Sequence, residues 1–211
     1  MYKTGRVAGY EIRGDTTEVR IIIPEDLEGL LKGKKVIQAG VSLEDGRYIT
    51  PIQRKKIYAT LRDISCYTGY TPDEAKQWMK YFYVARTGCS YFSLSDCSVD
   101  TARRFINVLI DYCLEEGVPI MDRLTERTDD INHMLIKCIT NKKCAICGRK
   151  GEIHHWDAIG MGNDRKKYDD SLNRKICLCR MHHSIAHSQG NKRFSENYHV
   201  YGIIFKERDD E

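Results

Sequence analysis

The chain lacks any apolar run approaching the roughly 18 residues needed to span a bilayer. It also lacks the basic-then-apolar N-terminus of a secreted protein. Both absences argue against membrane insertion and export, and the expectation is a product in the cytoplasm of its host. No internal repeat or low-complexity tract stands out. Charge of one sign is not in large excess either, with 34 Lys/Arg against 30 Asp/Glu. A disulfide framework is not expected, because nine cysteines are an odd count in a chain without an export signal.

What is present is ordinary in bulk and uneven in detail. At 211 residues, 41% hydrophobic and 30% charged, the chain suits one large or two small soluble domains. Residues 1–139 carry 20 Lys/Arg against 20 Asp/Glu, whereas residues 140–206 carry 13 against 6. The last five residues, ERDDE, are acidic. A basic C-terminal region favours a polyanionic substrate. The cysteines are uneven too. Cys66, Cys89, Cys97, Cys113 and Cys138 are scattered and read as small core residues, while Cys144, Cys147, Cys177 and Cys179 come in close pairs.

Three segments emerge along the chain. Alternating apolar residues predict strands over 6–12, 18–23 and 35–41, with Gly14-Asp15 and Asp45-Gly46 as turn signals. Helices follow over 50–139. Thr50-Pro51 opens one with Ile57, Leu61 and Ile64 on a single face. Thr71-Pro72-Asp73-Glu74 carries the cap, the first-turn proline and the capping-box glutamate of a second. Trp78, Tyr81, Phe82 and Tyr83 on it read as core rather than as a base-stacking platform. Ser98 caps a third helix with an apolar stripe from Ala102 to Leu114, and Gly117-Val118-Pro119 ends it. A fourth helix over 122–140 is expected as a connector. The resulting partition is 1–122, 123–140 and 141–211.

Residues 144–187 hold enough ligand chemistry for two metals. Cys144-x-x-Cys147-Gly148 has the spacing of a zinc knuckle, and Cys179-x-x-His182 repeats the gap, so that Cys144, Cys147, Cys179 and His182 form a Cys3His set. Cys177 competes with Cys179 as the third thiolate. His183 and His187 are four apart, on one face of a helix, and can share a second ion. Its third ligand is His154 or His155, which point oppositely if they lie in a strand. His133 and His199 read as structural. Arg149, Arg165, Lys166, Lys167, Arg174, Lys175 and Arg180 are candidates for contacts to phosphates.

This layout, with Asn173 between the histidine pair and Cys179-x-x-His182-His183, resembles the HNH endonucleases of the ββα-metal type. The resemblance covers about residues 141–205. It implies that His154 binds a catalytic ion with His183 and His187, that His155 is the general base, and that Asn173 ties down the loop positioning that base. Two departures are visible. Asn173 stands ten residues before His183, where nine is commoner, and His182 replaces the usual fourth cysteine.

A second resemblance covers about residues 1–122. The stretch Ile49-Thr50-Pro51-Ile52-Gln53-Arg54-Lys55-Lys56-Ile57-Tyr58-Ala59, then Trp78 to Phe82, then the helix after Ser98, is similar to the phage Orf/NinB recombination mediators. It implies an α+β, dimeric domain that binds single-stranded DNA and single-strand-binding protein, with Gln53, Arg54 and Lys55 at the DNA.

The expected fold is therefore α+β. It comprises N-terminal strands with a helical Orf/NinB-like domain, followed by a zinc-stabilised ββα-metal domain. The expected function is a phage-type HNH endonuclease cutting DNA in recombination or replication, with structural Zn2+ and catalytic Mg2+ or Mn2+. Its partners would be single-stranded or branched DNA, single-strand-binding protein and a second copy of the chain. The competing reading is a mediator that binds without cutting, its metal-binding fold serving as a structural zinc module.

Overall fold

The computed structural model describes residues 5–32, 46–157 and 172–205. It opens with a hairpin of β1 (Arg6–Arg13) and β2 (Thr16–Ile22), antiparallel from Arg6↔Ile22 to Arg13↔Thr16 with a register shift between Val7 and Gly9. The two-residue turn places Gly14 at φ 59°, a conformation that glycine adopts without steric cost. A single helical turn, α1 (Glu28–Leu31), follows. The strand expected over 35–41 lies outside the described residues.

Three long helices then form because each carries both a start and a stop signal. They are α2 (Pro51–Thr68), α3 (Pro72–Thr87) and α4 (Val99–Glu116). At the start of α2, Thr50 Oγ1 accepts from Gln53 N, and Gln53 Oε1 accepts from Thr50 N, both at 3.1 Å. Thr71 and Glu74 make the same reciprocal box on α3, and Ser98 Oγ accepts from Thr101 N on α4. All three end on a left-handed glycine: Gly69, Gly88 and Gly117. Pairing cap and stop in this way satisfies end groups that would otherwise need water.

The inward faces match the expected stripes. Ile57, Leu61 and Ile64 of α2 meet Met79 and Tyr83 of α3 and Phe105, Ile106 and Leu109 of α4, all at 2% exposure or less. Burial of each large side chain contributes roughly 1.5–3 kcal/mol. Tyr83, Phe92 and Phe105 pack edge to face, with centroids 5.1–5.7 Å apart. Of the α3 aromatics, Tyr83 is core, while Tyr81 faces outward at 65% exposure.

The connector differs from its expected form. In place of one helix over 122–140 there are two, α5 (Leu124–Arg127) and α6 (Ile131–Thr140). Local bonds break the run: Thr128 Oγ1 donates to Asp130 O and accepts from Asp130 N, and Asp130 Oδ1 then accepts from His133 N to start α6. Such side-chain bonds compete with the helical ladder. Arg127 pins α5 to α2 through Asp63 at 3.0 Å and Thr60 at 3.3 Å. Helix α6 is packed rather than spanning solvent. Its Met134, Leu135, Cys138 and Ile139 are buried in the same apolar cluster that runs from Ile49 to Ile203.

The C-terminal part is a ββα unit with additions. Strand β3 (Glu152–His155) pairs antiparallel with β4 (Arg174–Leu178), placing His154 opposite Ile176. Helix α7 (Arg180–Gln189) follows, then α8 (Asn191–Tyr198), and β5 (Ile203–Ile204) pairs on the far side of β4. Gly202 has to be glycine, because a Cβ there would lie 2.4 Å from Trp156 Cβ. No helix among the described residues is long and apolar enough to cross a membrane.

Candidate metal centres

Two ligand clusters form around α7, and the adjacent residues His182 and His183 belong one to each. The first joins the loop after α6 to the start of α7. Cys144 and Cys147 lie on a turn closed by Gly148 N donating to Cys144 O at 2.9 Å, with Gly148 at φ 66°. Cys179 is the residue before α7, and His182 lies one turn in. Sγ of Cys147 and Cys179 are 3.8 Å apart, and His182 Nδ1 is 3.4 and 3.3 Å from Sγ of Cys144 and Cys179.

These separations test whether an ion fits. A tetrahedral zinc with bonds of about 2.3 Å to sulfur and about 2.0 Å to nitrogen has edges of about 3.8 Å between sulfurs and about 3.5 Å from sulfur to nitrogen. The cluster matches both edges. Burial pushes the Cys144 thiol up to about 12. Burial acts the same way on Cys147, yet its thiol is lowered overall by bonds from Arg149 and the neighbouring cysteines. Burial also lowers His182, helped by Arg149 and Arg123, which favours the neutral ligand form. Cys177 lies in β4, fully buried and outside this set, with its thiol pushed up by burial to about 12.

The second cluster is His154, His183 and His187, whose ligand atoms lie within 4.8 Å of one another. Strand β3 supplies His154, which is buried at 4% exposure, and α7 supplies the other two one turn apart. Nε2 of His183 and His187 are 3.1 Å apart, and the His154 ring stands edge-on to both, with centroids at 4.6 and 4.9 Å. His154 Nε2 is buried without a hydrogen-bond partner. A polar atom in that condition costs roughly 1–3 kcal/mol unless something binds it. Burial, with His183 and His187 alongside, pushes the His154 imidazole down to about 4, so the ring is neutral and able to ligate. The donor set fits a divalent ion with its remaining positions open.

Other expected site residues fall in various places. His155 is half-buried at the end of β3, on the opposite strand face from His154 and across from Lys175. Asn173 is half-buried immediately before β4. Arg165, Lys166 and Lys167 lie outside the described residues. Arg180 is exposed on the first turn of α7, and Lys175 is half-buried in β4.

Three basic or polar candidates are committed elsewhere. Arg174 gives its guanidinium to Asp157, at 2.6 Å from Nη2 to Oδ1, and its backbone N to the same carboxylate at 2.9 Å. Gln53, expected at a DNA contact, is 5% exposed and holds the α2 cap while its Nε2 donates to Val99 O. Arg54 is half-buried and donates to the Leu94 and Ser95 carbonyls. Lys55 alone of that trio is exposed.

Sequence reasoning missed three residues around the histidines. Asp157, with Arg174 and the bond from Trp156 N to Arg174 O at 2.8 Å, closes the base of the β3–β4 connection, the task expected of Asn173. Asn191 opens α8, donates through Nδ2 to Trp156 O and makes a side-chain hydrogen bond to His154. Glu152 Oε1 lies 2.9 Å from His183 Nδ1. For Glu152 a signal existed: two residues before His154 on a strand, it shares that face.

A protein-family model described as "Putative HNHc nuclease" matches residues 23–210. Neither a curated protein nor a solved structure matches the chain.

Proposed function

The chain belongs to this HNH nuclease family, and from that premise we propose that it is a metal-dependent endonuclease hydrolysing DNA phosphodiester bonds. The observation that carries the proposal is the three-histidine cluster, with the buried and unbonded Nε2 of His154 facing two histidines of α7. His154, His183 and His187 would hold a catalytic Mg2+ or Mn2+, and Cys144, Cys147, Cys179 and His182 a structural Zn2+. When bound, the catalytic ion supplies charge neutralisation at the scissile phosphate and its leaving oxygen.

The chain's own residues do the rest. His155, turned to the other face of β3, takes the proton of the attacking water on its imidazole, a transfer suited to histidine near neutral pH. Asn173, together with the Asp157–Arg174 clamp, holds the connection beside it. Arg180, Lys175 and the Arg165–Lys167 run supply cations for flanking phosphates. Arg174 contributes there only through Asp157.

The finer reading is a role in phage-type recombination or replication within the host cytoplasm. In it residues 1–122 engage single-stranded or branched DNA as a homodimer, alongside single-strand-binding protein, and residues 141–211 form the nuclease. It is supported by the resemblance of the N-terminal stretch, and Lys55 is the member of the Gln53, Arg54 and Lys55 trio exposed to make a contact.

The test is cleavage of end-labelled single-stranded, duplex and branched DNA with Mg2+ or Mn2+, wild type beside His155→Ala. Metal-dependent cutting lost in the variant supports the endonuclease, and the preferred substrate tests its pathway. DNA binding without cutting in both proteins would overturn it in favour of a non-cleaving mediator.

A further inference from the structure

We propose that Glu152 is a positioning residue for the three-histidine centre: its carboxylate holds the His183 ring with Nε2 turned inward and so strengthens the site's grip on a divalent cation. The inference rests on the proposed metal reading of that centre and names a residue outside its ligand set.

The argument begins with the strand. Alternation along β3 sends Glu152 and His154 to the same face, and α7 places His183 there. Glu152 Oε1 and His183 Nδ1 are 2.9 Å apart, and they come from positions 31 residues apart in the chain. An ionised carboxylate can only accept, so His183 has to carry its proton on Nδ1 and leave the Nε2 lone pair free. That Nε2 is the atom 3.1 Å from His187 Nε2, inside the cluster. Glu152 thus accepts from His183 Nδ1, and His183 Nε2 faces the centre beside His187 Nε2.

Without Glu152 the two His183 tautomers, and the ring flip that exchanges Nδ1 for carbon, lose their bias. As an ordinary surface ion pair the contact would be worth little, since the Glu152 side chain is 66% exposed. Its value lies in the ring it orients. Carboxylate partners of metal-ligating histidines typically change metal affinity 10–100-fold. The same exposure means that replacing Glu152 removes no core packing.

The test uses the full chain with its zinc site loaded and Mn2+ as probe, binding being read from the free-ion electron paramagnetic resonance signal. Wild type, Glu152→Ala, Glu152→Gln and His154→Ala are compared. The expected result is about tenfold weaker Mn2+ binding in Glu152→Ala. A smaller loss is expected in Glu152→Gln, whose amide oxygen still accepts. The Mn2+ concentration for half-maximal cleavage should rise by the same factor, while kcat at saturating Mn2+ stays near wild type. Unchanged Mn2+ affinity in Glu152→Ala, with binding lost in His154→Ala, would overturn the role of Glu152 alone. Wild-type binding in His154→Ala, or no binding in wild type, would overturn the metal reading together with it.

Discussion

The Cys3His cluster and the three-histidine cluster share α7 and are built for opposite ends. In the first, Cys144, Cys179 and His182 are buried and Cys147 is half-buried, and four donors close a tetrahedron. In the second, burial grades outward from His154 through half-buried His183 to exposed His187, and three donors leave a side open. A closed four-donor set contributes to folding, because its ion binds only the assembled ligands. An open three-donor set leaves room for a substrate oxygen. On the proposed reading, adjacent residues on one helix would serve stability through His182 and chemistry through His183. Burial, more than ligand type, tells the two apart.

That contrast breaks most visibly at Cys144. It is fully buried and donates its backbone N–H to Arg149 O at 2.7 Å. Cys144→Ser should release zinc and destabilise the protein by about 4 kcal/mol or more, a fall of about 10 °C in Tm. His187→Ala, on the exposed rim of the other cluster, should leave Tm within about 1 °C. Thermal unfolding with zinc quantified in each protein checks both, and equal Tm values in the two variants would erase the distinction.

Activity should divide the other way. His155→Ala is expected to lower the cleavage rate about 10²–10⁴-fold, the usual loss of a general base. Its zinc content and Tm should stay those of wild type. A parallel loss of zinc would mean that the β3 end supports the knuckle rather than the chemistry.

The pH dependence sharpens the comparison further. His154 is held near 4 in the folded chain against 6.5 in the unfolded one. Between those values the unfolded chain takes up a proton that the folded chain refuses. Stability is thus whole above about pH 6.5 and falls as the pH drops towards 4. At pH 5 the loss is about 2 kcal/mol. Burial lowers His182 as well, and a difference between wild type and His154→Gln cancels its contribution. In urea unfolding without added divalent ions, the stability gap between those two proteins should move by about 2 kcal/mol between pH 7 and pH 5. A gap that stays constant would refute the buried-imidazole account.

The two clusters were unequally legible in the sequence. The members of each cluster were readable because the Cys-x-x-Cys, Cys-x-x-His and His183/His187 pairs are local spacings, which a turn or one helical period converts directly into geometry. The helices were readable from Thr50, Thr71 and Ser98 for the same reason. What escaped was whatever acts across the fold. Glu152, Asp157 and Asn191 find their partners 31, 17 and 35 residues away, and no periodicity announces such contacts. Gln53 is a different case. It sits three residues after Thr50, at the capping-box position, whereas the Orf/NinB resemblance assigned it to DNA. The split between α5 and α6 was hidden because it is made by local bonds of Thr128 and Asp130 within a polar stretch that a helix could also contain.

Asp157 offers the smallest and most selective test. It bonds bidentately to Arg174 at the surface, where both side chains are partly exposed. An exposed pair contributes about 0–1 kcal/mol, so Asp157→Ala should cost less than about 1 kcal/mol in urea unfolding. Its effect on cleavage should exceed that figure, since the clamp closes the connection between the strand carrying His155 and the residue after Asn173. A drop in kcat of about tenfold or more, with an unchanged half-saturating metal concentration, is the expected pattern. A change in metal demand instead would place Asp157 with Glu152, as a support of the ion rather than of the base.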